Sequence, residues 1–166
     1  YASVQFTFLG SDCPGIDGEP SMKNYIIDLL RARGALNNIT FHAPVPYHEL
    51  VDYYCRADIM VVPSLYDNSP YTCLEAMSCG VPVIGTSAGG MPEYIDNGKC
   101  GIIVPPNDSE SLARAILELT FDQGKRIRYG LAARHKVLTV FKREIIAQQI
   151  TKLYNLAKET FSLCSA

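Results

Sequence analysis

No apolar run in this chain approaches the roughly 18 residues that a membrane-spanning helix needs. Its start, YASVQFTFLG, lacks a basic stretch followed by an apolar core, so the sequence carries no sign of a secretory leader. Positive charge is not in excess. Lys and Arg number 15 against 17 Asp and Glu, a net charge of −2, and the basic residues are scattered. A nucleic-acid binder needs a concentrated basic face for counterion release, so that class is excluded. None of the six cysteines (Cys13, Cys55, Cys73, Cys79, Cys100, Cys164) forms a C-x-x-C pair or a disulfide-framework spacing. Reduced thiols in a cytosolic domain are the expectation. G-x-G-x-x-G, the P-loop and a metal-spaced His/Cys cluster are all missing.

The most telling scarcity is local. From Ile59 to Pro92 (IMVVPSLYDNSPYTCLEAMSCGVPVIGTSAGGMP) only Asp67 and Glu75 are charged. The rest is apolar, small, hydroxylic, Gly or Pro, as in chain that runs through a core and surfaces at tight turns. An ionised carboxylate in such surroundings needs a partner or a ligand. Two of them, either side of a loop-to-helix junction, suggest a site.

With 166 residues the chain is long enough for one domain with a substantial core, over 1–166. It starts on Tyr1, just before its first strand, as a piece of something longer would. Val4 to Leu9 reads as a strand closing on Gly10, followed by a loop to Pro20. Asp12, Asp17 and Glu19 in that loop do not match the spacing of a calcium loop and are expected in a solvated turn. Ser21 caps a helix to Arg33 that Gly34 ends. Ile39 to Phe41 is a strand, and the turn Ala43 to Pro46 leads to a helix near His48 to Arg56. Asp58 to Pro63, apolar on both faces, has the pattern of a central parallel strand. After the loop Ser64 to Ser69, Pro70 suits the first turn of a helix that stops at Gly80. Val81 to Gly85 is a strand, Gly89-Gly90 a turn, Met91 to Ile95 a short helix and Cys100 to Val104 a strand. Asp108 caps a helix over Ser111 to Leu119, and two more follow at Gln123 to Val137 and Glu144 to Phe161.

Short alternating strands and helices without internal repeat predict an α/β fold: three layers, a parallel sheet with helices on both faces. Its ligands sit at the carboxyl ends of the strands. Asp67, the stretch from Pro70 to Glu75 and the turn from Gly85 to Gly90 all follow strands and so fall on one edge. A helix starting near Pro70 leaves the amides of Tyr71, Thr72 and Cys73 unpaired, a terminus that attracts phosphate. Glu75 is placed to accept hydrogen bonds from vicinal hydroxyls such as those of a ribose, and Asp67 from a second polyol. A surface glutamate and an ordinary turn aspartate fit the charge pattern equally well. A competing motif, Gly85-Thr86-Ser87-Ala88-Gly89, matches G-x-S-x-G, with Asp96 or Asp108 and then His135 completing the order of a hydrolase triad. The absence of an HGGG-type segment, Pro92 soon after the turn, and His135 lying between Arg134 and Lys136 count against a hydrolase built on Ser87. His42 and His48, flanking the Ala43 to Pro46 turn, are expected to be structural.

Ala57-Asp58 leading into VVPS, then DNSPYTCLEAMSCGVPVIGTSAGGMPEYI, then NGKCGIIVPPNDSESLARAI, resemble the C-terminal, nucleotide-sugar-binding domain of retaining glycosyltransferases of family 4. The flanking units fit the same template. The resemblance implies one Rossmann-like half of a two-domain GT-B fold and transfer of a sugar from a nucleotide donor to an acceptor hydroxyl with retention. Glu75 matches the second acid of the E-x7-E motif, which binds the ribose. Asp67 matches the first, which contacts the donor sugar, and is Asp where the family usually has Glu. The backbone at Tyr71 and Thr72 corresponds to the phosphate-contacting helix start, with Pro70 where many members have Gly. Val45 lies in the turn whose main chain reads the base. The resemblance further implies a UDP-, GDP- or ADP-linked donor as substrate, no cofactor and no essential metal. It implies partners outside this sequence, namely an N-terminal domain that binds the acceptor glycan or lipid and an upstream Arg/Lys pair. The expected place is the cytoplasm, peripheral to a membrane through that missing domain. The isolated domain is expected to be inactive alone and to self-associate through apolar surface on Tyr1 to Leu9 and on the last helix. A non-catalytic sugar-nucleotide module and a GT-B type epimerase are the alternatives.

Overall fold

The computed structural model of the chain describes residues 4–15, 18 and 20–164, with side chains up to residue 161. Of the residues considered above, Tyr1, Asp17, Glu19 and the thiol of Cys164 lie outside that part. The chain divides into two compact units, Tyr1–Leu50 and Val51–Ala166.

In the first unit, β1 (Phe6–Leu9) pairs in parallel with β2 (Ile39–His42), Phe6 opposite Ile39 and Leu9 opposite His42. The rings of Phe8 and Phe41 stack across the pair, 5.0 Å between centroids. The crossover is α1 (Met22–Ala32), whose Ser21 cap accepts from the Asn24 amide at 3.0 Å, as expected. Asp12 does more than fill a turn. Its carboxylate accepts the Ser21 hydroxyl at 2.6 Å and the Lys23 amide at 3.0 Å, which ties the loop to the helix start. The Ser21 hydroxyl and then the Lys23 amide hold its carboxyl below the ordinary range. Gly34, at φ 65°, supplies the left-handed turn that stops α1.

The second unit carries a three-stranded parallel sheet in the order β3-β4-β5. Its strands are β3 (Met60–Val62), β4 (Val83–Thr86) and β5 (Gly101–Val104). Every residue of β4 is buried. The Asp58 to Pro63 strand is packed on both faces as the sequence suggested, Met60 and Val62 on one cluster and Ile59 and Val61 on the other, while β4 is the strand buried at every residue. Position in the sheet accounts for the difference in depth, since β4 lies between β3 and β5. Alternation along the strands divides the core in two, because successive side chains point to opposite faces. Val62 and Val83 join Cys73, Ala76 and Met77 of α3 (Tyr71–Ser78) and Met91 of α4 (Met91–Tyr94) on one side. Ile84 and Val104 join Ala115 and Leu119 of α5 (Ser109–Phe121) and Tyr129 of α6 (Gln123–Lys136) on the other. Helices thus cover both faces, as the α/β reading requires. Preceding the sheet is α2 (Leu50–Arg56), itself preceded by a short 3-10 turn at Tyr47–Glu49. A π-helical turn at Val137–Phe141 leads from α6 to the long α7 (Arg143–Cys164).

Candidate functional site

Because β3 and β4 run parallel, their carboxyl ends share an edge. The loops that leave them are fastened to each other. The Gly90 amide donates to the Asp67 carbonyl at 3.0 Å, and the Thr86 hydroxyl donates to the Ser64 carbonyl at 2.7 Å. The hydroxyls of Ser69 and Tyr94 share a hydrogen bond of 2.6 Å. The glycine turn fits only because it has no side chains. A Cβ on Gly89 would lie 1.9 Å from the Asp67 carbonyl oxygen, and one on Gly90 2.2 Å from that of Asn68.

Asp67 is half-buried in the first of these loops, and its Oδ1 accepts the Ser69 amide at 3.0 Å. One carboxylate oxygen thus shapes the loop and the other is left for further donors. Glu75 is half-buried in α3, where its Oε2 accepts the Tyr54 hydroxyl of α2 at 2.8 Å. Glu75 is thus a carboxylate held by a tyrosine from another helix, and Asp67 an aspartate that shapes its own turn.

The helix start differs from expectation in two details. Pro70 is the cap, not part of the first turn, and α3 begins at Tyr71. The Cys73 amide is engaged, donating to the Pro70 carbonyl at 3.0 Å. The chain tightens here because Pro70 leaves a carbonyl within reach three residues back. Tyr71 and Thr72 are exposed, and their amides find no acceptor among the described residues. Val45 belongs to the first unit, half-buried in the turn after β2. That turn borders a cleft at the carboxyl ends of β1 and β2, lined by Gly10, Lys23, His42 and Pro44 among others.

The hydrolase constellation does not assemble. Asp96 accepts Lys136 at 2.9 Å, and Asp108 accepts the Ser111 amide and hydroxyl at 2.9 Å and 2.6 Å as the cap of α5. His135 is exposed on α6, and Ser87 is exposed with its amide held by the Val104 carbonyl. Among the described residues no group of three or more His, Cys, Asp and Glu is placed to hold a metal. Every cysteine described is a free thiol. Sequence reasoning missed Tyr54, Ser69 and Tyr94, whose roles depend on partners distant in the chain.

Residues 3–136 match the family described as glycosyl transferases group 1. The chain belongs to that family. A D-inositol 3-phosphate glycosyltransferase of Corynebacterium jeikeium is 35% identical over 143 residues, 86% of this chain and 34% of that protein. This group 1 glycosyltransferase chain therefore spans about a third of the length of the curated relatives it matches, and corresponds to their C-terminal part. Its fold is that of a sucrose-phosphate synthase from Thermosynechococcus elongatus, with a TM-score of 0.78 at 23% identity over 96% of this chain and 47% of that one. HepE of Anabaena, solved with UDP and glucose, superposes with a TM-score of 0.76 at 24% identity over 92% of this chain and 40% of that one. No described helix of the group 1 chain is long and apolar enough to cross a membrane.

Proposed function

We propose that this chain is the donor-binding part of a retaining glycosyltransferase, with a nucleotide sugar seated on the carboxyl edge of the β3-β4-β5 sheet. The observation that carries the reading is the fastened pair of loops at that edge. They hold Asp67 just before the open amides of Tyr71 and Thr72, with Glu75 further along the same helix. Glu75 takes the ribose hydroxyls. The amides of Tyr71 and Thr72, aided by the dipole of α3, take the diphosphate and stabilise the charge that grows on it as the bond to the sugar breaks. Asp67 meets the donor sugar, and its shorter side chain relative to Glu sets a different reach there. UDP, the nucleotide bound in the Anabaena protein, is the first candidate; GDP and ADP are the others.

Calorimetric titration of the chain with UDP, GDP and ADP, on wild type and Glu75→Ala, tests the reading. Saturable binding of one nucleotide, lost in the variant, is the expected result. Equal binding by both proteins, or none by either, overturns it.

Turnover belongs to the intact protein, where an acceptor-binding half and a basic pair upstream complete the site. The chain alone is expected to release no sugar from a donor that it binds. Retention is tested on the intact protein by proton NMR of the first product, where an inverted anomer would contradict it. Transfer needs no metal in this reading, so activity that vanishes with EDTA and returns with a divalent cation would refute that point. The place of action is the cytoplasm, which fractionation of cells carrying the intact protein tests.

A further inference from the structure

The hydrogen bond from Tyr54 to Glu75 joins two helices that the sequence separates by a strand and a loop. Tyr54 is half-buried, and its ring packs against the cluster that contains Val62, Cys73, Ala76 and Met77. Three of those four residues lie on α3 itself, the helix that carries Glu75. The ring and the hydroxyl are thus anchored to the same helix by different means, one by apolar packing and the other by a 2.8 Å hydrogen bond to Oε2.

A glutamate side chain free in solvent samples several rotamers, and a ligand that needs one of them must order it on binding. A hydroxyl donating to an ionised carboxylate makes one of the stronger hydrogen bonds, and here it fixes the carboxylate before any ligand arrives. It occupies one lone pair of Oε2. Both lone pairs of Oε1 and the second of Oε2 remain for other donors. Two vicinal hydroxyls suit such a carboxylate, because both of its oxygens can accept at once.

We infer that Tyr54 is a positioning residue for the nucleotide: it presets Glu75 so that the carboxylate receives the two ribose hydroxyls without reordering. This rests on the assignment of Glu75 to the ribose made above. Tyr54 touches no ligand in this account. It acts through Glu75, so removing its hydroxyl weakens recognition of the ribose hydroxyls specifically and leaves the phosphate and base contacts as they are.

The test is calorimetric titration of wild type, Tyr54→Phe and Glu75→Ala, using UDP, GDP and ADP and the 2′,3′-dideoxy form of whichever binds. Phenylalanine keeps the ring in its packing place, and a urea melt of each variant reports the fold separately. In the wild type the dideoxy nucleotide is expected to bind more weakly than its ribose parent. In Tyr54→Phe the ribose nucleotide loses about fivefold in affinity, while the dideoxy nucleotide is unchanged, so the ratio between the two shrinks. A ratio as large in Tyr54→Phe as in the wild type overturns the inference, whatever the melt shows. It leaves the donor-site reading standing if Glu75→Ala still abolishes the preference for ribose. A preference that survives Glu75→Ala, or no binding of any of the three nucleotides, overturns reading and inference together.

Discussion

The amide of Gly90 donates to the carbonyl of Asp67 across 3.0 Å, and this bond ties down the loop that carries the first of the two candidate carboxylates. The glycine turn after β4 serves as the bed on which the loop after β3 lies. Gly89 has φ 60°, and a Cβ there would meet the Asp67 carbonyl at 1.9 Å. Gly89→Ala is therefore expected to lower stability by about 1–3 kcal/mol and to displace Asp67. Urea denaturation reads the first effect and nucleotide titration the second. A variant with wild-type stability and affinity would show that the loops are not coupled.

A second close approach has no connection with the site. A Cβ on Gly130 of α6 would lie 2.0 Å from the carbonyl oxygen of Gly80, at the end of α3. Gly130→Ala forces the two helices apart in a packed core, which is expected to reduce unfolding free energy by about 1–3 kcal/mol. Its midpoint in urea should fall, with the slope unchanged.

The thiols differ in reactivity for reasons of burial. Cys73, fully buried, is pushed up to about 12 by desolvation, and Cys79 and Cys100 are raised in the same direction. A raised value means less thiolate at a given pH and slower alkylation. With iodoacetamide near neutral pH, the exposed Cys13 and Cys55 should be labelled first and Cys73 last, read by mass spectrometry of the peptides. Early labelling of Cys73 in folded protein would contradict the packing around α3.

Asp108 gives a pH dependence with a definite sign. The Ser111 hydroxyl first, and then the Ser111 amide, hold its carboxyl below the ordinary value of 3.8. A depressed carboxyl contributes stability above its unfolded value, and that contribution disappears as pH falls through the folded one. Asp108→Ala should therefore lower the urea midpoint at pH 6, and the gap from wild type should narrow as pH falls below the ordinary value of 3.8 and through the lower folded one. A gap constant over that window would mean that the carboxylate charge plays no part.

The last helix exposes Ile150, Leu153, Tyr154, Leu156 and Phe161, and β1 exposes Phe6 and Phe8. Apolar surface on this scale favours association. Sedimentation is expected to show a mass that rises with concentration, and Leu153→Lys with Leu156→Lys should reduce it. A clean monomer at high concentration would count against the role of this surface.

Much of the fold was legible because its signals are short-range. Ser21 and Asp108 cap the helices assigned to them, and each expected strand and helix is present, with ends shifted by a few residues. The strand after Gly80 shows the limit. Val81 reads as strand by its side chain, yet pairing starts at Val83 opposite Met60 and Gly101. Where a strand begins is decided by its neighbours, which no local pattern contains. The same holds for the free amides of α3: the sequence indicated a helix start near Pro70, but not that the Pro70 carbonyl would take the Cys73 amide.

What the sequence determined by itself was the alternation of elements, their caps, and a nearly uncharged segment with two carboxylates at its loop-to-helix junction. Caps, periodicity and glycine turns act over a few residues, so they survive without a partner. The tertiary structure alone decided that β4 is the strand buried at every residue, that the Gly90 turn supports Asp67, and that Tyr54 reaches Glu75. Each of these is a contact between segments distant in the chain, and it exists only once parallel pairing has brought the carboxyl ends of successive strands to one edge and laid the helices against them.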